Sequence, residues 1–224
     1  MTNAQDTQHT FVLADLAGFT ALTAAHGDDA AADVAAAFVA GVREMLDDHE
    51  AREVKTMGDA VLVHVSDAHR ALCLAECAVG ELGTRHGALG IRVGLHTGPA
   101  VRRGDDWFGM TVNIAARVAA LAEPDEVLLT EDTLLTSAPP PQWRIDRLGW
   151  RPLRNVPDPV LLHALRVRTS HDAGLALDPV CRMAVHPDAA ATTLRHADRT
   201  LHFCSTHCAT VFARNPRHYA GHVP

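Results

Sequence analysis

The feature that most limits the fold is an alternation of short apolar segments with helical segments over residues 11–167. Phe11–Asp15 is an apolar run of strand length, and a Gly-Asp turn separates Arg52–Met57 from Ala60–Val65 as in a β-hairpin. Apolar residues recur every fourth position within 28–50, which is typical of an amphipathic helix. The same criteria predict further helices over 69–82 and 112–121, and strands over 91–95, 100–102, 127–129, 143–148 and 160–167. This alternation favours an α+β sandwich with helices on one face of a mostly antiparallel sheet.

Composition divides the chain near residue 169. Residues 1–168 carry the excess of acidic side chains, whereas the last 54 residues hold seven of the 15 histidines and three of the five cysteines. Residues 169–175 are polar and lack periodicity, as linkers do. The sequence therefore predicts a first domain over 9–168, a linker over 169–175 and a small second module over 176–221.

Charge and hydropathy exclude several classes of protein. The net charge of −7 argues against a protein that coats nucleic acid or an anionic membrane. No apolar stretch approaches the roughly 18 residues of a membrane span. The N-terminal segment is polar and contains Asp6, unlike a signal peptide. We therefore expect a soluble cytoplasmic protein with no nucleic-acid or membrane partner.

Two aspartates stand at predicted strand ends. Asp15 closes the first strand, and Asp59 follows Gly58 at the predicted hairpin tip. Two carboxylates presented side by side suit Mg²⁺ or Mn²⁺, which prefer oxygen ligands and share them with substrate phosphates. The alternative is that each is an ordinary turn aspartate.

Three further polar residues point to a phosphate-bearing ligand. Lys55 is the only lysine of a chain that otherwise uses arginine, which indicates a need for a compact point donor. Asn113 and Arg117 lie four residues apart and share one face of a predicted helix. Asparagine can bond ribose or phosphate oxygens, and arginine can neutralise phosphate charge. A chance surface lysine and a solvated helix face are the alternatives.

Four segments together resemble the class III nucleotide cyclase catalytic domain, over about residues 9–168. They are Phe11-x-x-x-Asp15-Leu-x-Gly-Phe-Thr, Lys55-Thr-Met-Gly-Asp59, Arg92-Val-Gly-Leu-His-Thr-Gly98 and Asp106-Trp-Phe-Gly-x-x-Val-Asn113-x-Ala-Ala-Arg117. Their order and spacing match, and four motifs together are far more specific than any one. The resemblance implies a ferredoxin-like βαββαβ fold with extra strands.

The resemblance also implies an activity, conversion of ATP to 3′,5′-cyclic AMP and pyrophosphate by two-metal catalysis. Asp15 and Asp59 match the metal-binding aspartates, which implies two Mg²⁺ or Mn²⁺ ions per active site. Asn113 and Arg117 match the residues that orient the ribose and stabilise the transition state. The family builds its site between two subunits placed head to tail. The resemblance thus implies a homodimer in which one subunit supplies the two aspartates and the other supplies the remaining site residues.

Lys55 and Asp106 match the family's pair that reads the adenine ring. Adenine N1 accepts a hydrogen bond and N6 donates one, so a lysine donor and an aspartate acceptor satisfy both atoms. Guanine presents the opposite polarity and would leave polar groups unpaired. ATP is therefore the expected substrate. A guanylate cyclase, or a catalytically silent module that binds a nucleotide or a protein partner, is the alternative.

Three cysteines near the C-terminus have the spacing of metal ligands. Cys204 and Cys208 are four positions apart, and Cys181 lies upstream of both. Three thiols with His202 or His207 would complete a tetrahedral site for a soft metal such as Zn²⁺ or Cu. A segment of this size needs such support, since its core is small. The predicted second metal site is Cys181, Cys204, Cys208 and His207.

Residues 176–221 resemble the YHS family, a small cysteine-bearing module. The matching segments are Asp178-Pro-Val-Cys181-x-Met, Phe203-Cys204-Ser and Asn215-Pro216-x-x-Tyr219. The chain departs from that family at Arg182, which replaces a glycine, and at Leu201, which replaces an aromatic residue. This family often occurs with metal-handling proteins, and our hypothesis is that the module regulates the cyclase in response to metal or redox state. A thiol-lined structural core is the alternative.

Overall fold

The structure is a computed structural model that describes residues 8–219 except 86, 168, 170 and 171. The strands are β1 Gln8–Leu16, β2 Ala51–Met57, β3 Ala60–Val65, β4 Ile91–Pro99, β5 Val101–Arg103, β6 Asp106–Phe108, β7 Glu126–Thr130, β8 Ile145–Arg151, β9 Val160–Leu165, β10 Ala176–Leu177, β11 Ala184–Val185, β12 Thr192–His196 and β13 Arg199–Phe203. The α-helices are α1 Phe19–His26, α2 Asp28–Leu46, α3 Ala68–Cys77, α4 Met110–Ala119, α5 Glu131–Ser137, α6 Thr206–Arg214 and α7 Pro216–Tyr219. None of these helices combines the length and apolar character that a bilayer crossing requires.

A seven-stranded sheet forms the centre of the molecule, in the order β2-β3-β1-β4-β7-β9-β8. The β4–β7 pair is parallel, and the other neighbouring pairs are antiparallel. This mixed sheet confirms the predicted α+β class. The short helices α1 and α5 were not predicted, because neither is long enough to show a repeating apolar pattern.

Helices cover both faces of the sheet, so the expectation of helices on one face alone is wrong. Val12 and Val63 belong to the apolar cluster that includes Phe38 of α2. Phe11 and Leu13 belong to another cluster, which includes Ala115 and Ala119 of α4. The physical reason is that β1 is apolar at consecutive positions, and successive side chains of a strand point to opposite faces.

Glycines on β4 let α4 lie unusually close to the sheet. A Cβ atom at Gly94 would come within 2.1 Å of the Ala119 backbone nitrogen and 2.6 Å of the Ala115 carbonyl oxygen. A Cβ at Gly98 would meet the Thr111 hydroxyl at 2.8 Å. The helix that carries Asn113 and Arg117 is therefore packed closely against β4.

Residues 176–219, which the sequence predicts as part of a second module, share an apolar core with the residues before the predicted linker. Cys181, Phe203 and Phe212 are buried in the same apolar cluster as Leu16 and Leu22. Backbone hydrogen bonds join the two parts as well: Gly87 donates to Ala184, and Ala184 donates to Ala88, both at 2.7 Å. The predicted linker lies only partly within the described residues.

Candidate functional site

Asp15 and Asp59 lie together at one end of the β1–β3 pair. Asp15 faces Ala60 across the strands, and the Leu16 amide donates to the Asp59 carbonyl at 3.3 Å. Burial raises the pKa of Asp15, and the negative charge of Asp59 raises it further, whereas Arg92 opposes both effects. Two aspartates at neighbouring strand ends offer the oxygen ligands that Mg²⁺ and Mn²⁺ prefer.

Arg92 is a site residue that sequence reasoning did not single out. It stands directly opposite Asp15 in the β1–β4 register, and its guanidinium donates to Asp15 Oδ2. Its role is visible only in the pairing of β1 with β4, and local sequence patterns do not reveal which residues of two strands pair. Arg92 holds the Asp15 carboxylate in place at the strand end.

Lys55 and Asp106 form an ion pair across 51 residues of sequence. The Lys55 ammonium donates to both Asp106 oxygens, at 2.8 and 3.1 Å. The β2 register shifts between Glu53 and Lys55, and Asp106 opens β6 of the short β5–β6 hairpin. The lysine lowers the pKa of the Asp106 carboxyl through this hydrogen bond. The pair is half-exposed and presents a donor beside an acceptor.

An aromatic stack supports the hairpin that carries Asp106. The Trp107 ring lies parallel to His64 of β3, with 4.4 Å between ring centroids. His64 Nε2 shares a hydrogen bond with His9 Nδ1 at 3.0 Å. Burial, then the nearby His9 and Arg102, lower the pKa of His64 to about 4, so the stacked ring is neutral near pH 7. The stack positions Asp106 against β2.

Asn113 and Arg117 occupy the same face of α4, as their spacing predicted. The opposite face is buried against the sheet. Asn113 is exposed, whereas the Arg117 Nε is buried and has no hydrogen-bond acceptor within the part of the chain that the structure describes. A buried donor without a partner is costly, and an anionic ligand would satisfy it.

We refer to these three pairs together as the six-residue site. Its members are Asp15, Asp59, Lys55, Asp106, Asn113 and Arg117.

A second group of side chains lies where the two modules meet. The ligand atoms of His26, Cys181, Cys204 and Cys208 all lie within 4.8 Å of one another, and we call these four residues the junction cluster. The three cysteines are free thiols, and Cys181 and Cys208 are fully buried. Hydrogen bonds from the Cys181 and Cys204 thiols lower the pKa of Cys208.

The structure corrects the predicted fourth member of this group, which is His26 rather than His207. His207 is adjacent to Cys208 on α6 and is exposed, because neighbouring residues of a helix point in different directions. His202 alternates with the buried Leu201 and Phe203 along β13 and so faces away from them. No local motif signals His26, because it ends α1 in the other module.

Comparison with known proteins identifies the family. Residues 2–156 match the adenylate and guanylate cyclase catalytic domain, so the chain belongs to that family. This result confirms the predicted cyclase resemblance. The YHS-like resemblance of residues 176–221 lies outside the matched range and stays a prediction.

Individual relatives agree with this assignment. A pH-sensitive adenylate cyclase of Mycobacterium tuberculosis is 33% identical over 164 residues, covering 71% of this chain and 41% of the relative. An adenylate cyclase of Streptomyces coelicolor is 34% identical over 116 residues, covering 52% of this chain and 30% of the relative. A structure of a Trypanosoma brucei adenylate cyclase in its monomeric state superposes with a TM-score of 0.64 and 25% identity, over 74% of this chain and 91% of that one. The chain thus spans less than half the length of these two curated relatives.

Proposed function

We propose that this protein is an adenylate cyclase that converts ATP to 3′,5′-cyclic AMP and pyrophosphate. The observation that carries the proposal is the Lys55–Asp106 pair, which sets a donor and an acceptor side by side at 2.8 Å. That polarity complements adenine N1 and N6 and opposes guanine N1 and O6. The similarity to proteins named adenylate cyclases supports the same substrate.

Asp15 and Asp59 fit a pair of Mg²⁺ or Mn²⁺ ions. Both offer hard oxygen donors, and a cation bound between them would offset both the burial that chiefly raises the pKa of Asp15 and the smaller contribution of the Asp59 charge. When bound, such ions activate the ribose 3′-hydroxyl and neutralise charge on the phosphates. Arg92 keeps the Asp15 carboxylate oriented at the strand end.

Asn113 and Arg117 orient the nucleotide and meet the charge that develops during the reaction. In this reaction the ribose 3′-oxygen forms a bond to the α-phosphorus. The bond between the α-phosphorus and the oxygen that bridges to the β-phosphate breaks, pyrophosphate leaves, and the hydroxyl proton passes to water. That Arg117 has a buried Nε without a partner supports a role in donating to an α-phosphate oxygen as negative charge accumulates there. Asn113, one turn earlier and exposed, bonds the ribose.

We infer that two copies of the chain share each active site. Lys55 lies only four residues before Asp59, whereas a nucleotide holds its base well away from its triphosphate, so one site does not use both. One subunit would supply Asp15 and Asp59, and its partner the other four residues of the six-residue site. Large apolar side chains are exposed at Met57, Phe108 and Met110, each within three positions of a member of the six-residue site in the sequence. Exposed apolar side chains of this size support an interface between copies.

We also infer that the C-terminal module regulates the cyclase in response to metal or redox state. Its three cysteines lie at the contact with the first domain, where a change in their state alters that contact. Free thiols throughout the chain support a reducing, cytoplasmic location.

The activity is tested by incubating the purified chain with ATP and Mn²⁺ and measuring cyclic AMP, with GTP in parallel. We expect cyclic AMP from the wild type and a loss on the order of 1,000-fold in Asp59→Ala, because a bound metal ion supplies several kcal/mol to the reaction. Cyclic GMP as the main product would support a guanylate cyclase instead. No product above the Asp59→Ala background would leave a silent binding module.

A further inference from the structure

We propose that the junction cluster is a Zn²⁺ site whose four ligands come from both modules, with His26 as the fourth ligand. In this arrangement the ion fastens the C-terminal module to the segment that follows Asp15. The effect on the cyclase rests on the proposed function, whereas the metal site itself does not.

Four of the six distances within the cluster are close to the edges of a zinc tetrahedron, and the other two are at most 4.8 Å. Zinc bonds of about 2.3 Å to sulfur and about 2.0 Å to nitrogen place two sulfurs about 3.8 Å apart and a sulfur and a nitrogen about 3.5 Å apart. The Cys204 and Cys208 sulfurs are 3.7 Å apart, and those of Cys181 and Cys204 are 3.4 Å apart. His26 Nε2 is 3.4 Å from the sulfurs of both Cys204 and Cys208. The side chains therefore need only small movements to bind an ion between them.

The ligand types favour zinc over the other uses of cysteine. A disulfide, with sulfurs about 2.05 Å apart, would join two thiols and leave the third thiol and the imidazole without a role. Three thiolates and one imidazole in tetrahedral array are typical of structural zinc. Because Cys181 and Cys208 are fully buried, the site is closed to substrate, as structural sites are.

Residues outside the cluster hold its cysteines in position. The buried Asp178 carboxylate accepts hydrogen bonds from the Val180 amide at 2.8 Å and from the Cys204 amide at 2.9 Å. One side chain thus ties together the two segments that carry Cys181 and Cys204. The Ser205 hydroxyl accepts from the Cys208 amide and so caps the N-terminus of α6. Such supporting hydrogen bonds are the usual surroundings of a metal site.

The cluster is connected to the six-residue site through the segment between Asp15 and His26. The chain leaves β1 after Leu16, turns at Gly18 with a φ of 86°, and runs through α1 to His26. A Cβ at Gly18 would lie 3.0 Å from the Arg182 side chain, so the turn is in close contact with the residue after Cys181. His26 follows Gly18 through α1, and Cys181 precedes Arg182, so an ion bound by His26 and Cys181 would hold these two segments together. Loss of the ion would loosen the segment next to Asp15.

Metal analysis of the full-length chain tests the proposal. We expect about one zinc per chain after reconstitution with Zn²⁺, and zinc X-ray absorption that shows three sulfurs and one nitrogen. In His26→Ala, zinc affinity, measured by competition with a chromophoric chelator, should fall on the order of 100-fold or more, since even supporting residues of metal sites contribute 10–100-fold. His207→Ala is the matched control, an exposed histidine on α6, and should bind zinc as the wild type does.

Two results would overturn the proposal. A wild type that binds no Zn²⁺ after reconstitution contains a thiol-lined core and not a metal site. A wild-type X-ray absorption spectrum without a nitrogen ligand would show that His26 does not bind the zinc. Unchanged zinc affinity in His26→Ala would show the same, and either result would reject a zinc link between the modules. The wild-type spectrum decides this point even where a variant fails to fold.

The activity measurement separates this proposal from the previous one. If zinc binds through His26, we expect cyclic AMP production to fall when zinc is withdrawn and to return when it is restored. Normal zinc binding in a chain that makes no cyclic AMP would reject the cyclase activity and leave the site standing. Cyclic AMP production that is unaffected by zinc withdrawal would reject the coupling.

Discussion

The six-residue site and the junction cluster differ in the chemistry and the exposure of their polar side chains. The first is charged and open, with the Lys55 and Asp106 side chains 41% and 37% exposed. The second is made of thiols and an imidazole, and two of its cysteines are 0% exposed. Hard, open groups suit a ligand that enters and leaves, whereas soft, closed groups suit an ion that stays.

The two regions also differ in how the chain builds them. Within the first domain, the two aspartates of the six-residue site lie at strand ends, the Lys55–Asp106 pair joins two hairpins, and the remaining pair lies one turn apart on a helix. The junction cluster joins His26 to cysteines more than 150 residues later and exists only because the two modules share a core. Ligand binding at the six-residue site should therefore depend on the chemistry of each side chain. Metal binding at the junction cluster should depend on the contact between the modules.

The largest expected effect tests whether the six-residue site is shared between subunits. Asp15→Ala should lower activity on the order of 1,000-fold through loss of a metal ligand. Asn113→Ala should lower it about 100- to 1,000-fold through loss of one oriented polar group. Mixing the two variants should restore up to about a quarter of wild-type activity. About half of randomly formed dimers contain both variants, and each of these has one intact site where the wild type has two.

Cyclic AMP production in the mixture is the measurement, with subunit exchange checked by co-purification of differently tagged chains. Exchange without recovery of activity would show that each chain builds its own site.

A reversal of polarity at the base-reading pair is expected to change substrate preference. Lys55→Glu with Asp106→Cys should reduce the ratio of kcat/KM for ATP to that for GTP by about 100-fold or more, because unpaired polar groups then face adenine. The control is the Arg43–Glu53 pair, an ion pair at 2.6 Å that also involves β2. Its reversal, Arg43→Glu with Glu53→Arg, should leave the ratio unchanged. Equal losses for both nucleotides in the first variant would show that the pair does not read the base.

A smaller effect, on stability, tests the close packing of α4. Gly94→Ala should destabilise the fold by about 3 kcal/mol, because its methyl group would overlap the backbone of α4. Gly80→Ala is the control, since its Cβ would meet its nearest neighbour at 3.9 Å. That variant should change stability by less than about 1 kcal/mol. Urea unfolding of both variants measures the difference, and similar midpoints would contradict the packing argument.

The smallest expected effect concerns pH and the stack that supports Asp106. The pKa of His64 is about 4 in the folded chain, against an ordinary value of 6.5. The unfolded chain therefore binds more protons between these values, and the stability from neutral His64 is lost as pH falls through that window. His64→Phe keeps an aromatic ring beside Trp107 and removes the titration. Its melting temperature should fall less than that of the wild type between pH 7 and pH 4.5, and parallel curves would reject the explanation.

Much of the architecture could be predicted because it is local. The four-residue apolar repeat within 28–50 and the Gly58-Asp59 turn are each visible in a short stretch of sequence. The structure forms α2 and the β2–β3 hairpin at these positions. The short helices α1 and α5 were missed, since one or two helical turns do not establish a repeat.

The sequence alone was enough to predict which residue types stand at strand ends and on helix faces, and its ordered motifs and unique lysine predict the six-residue site. The tertiary structure alone decided that Arg92 stands opposite Asp15, that α4 covers the second face of the sheet, and that His26, not His207, completes the junction cluster. The physical reason is that strand register and the packing of distant segments arise from long-range contacts, which local spacing does not encode.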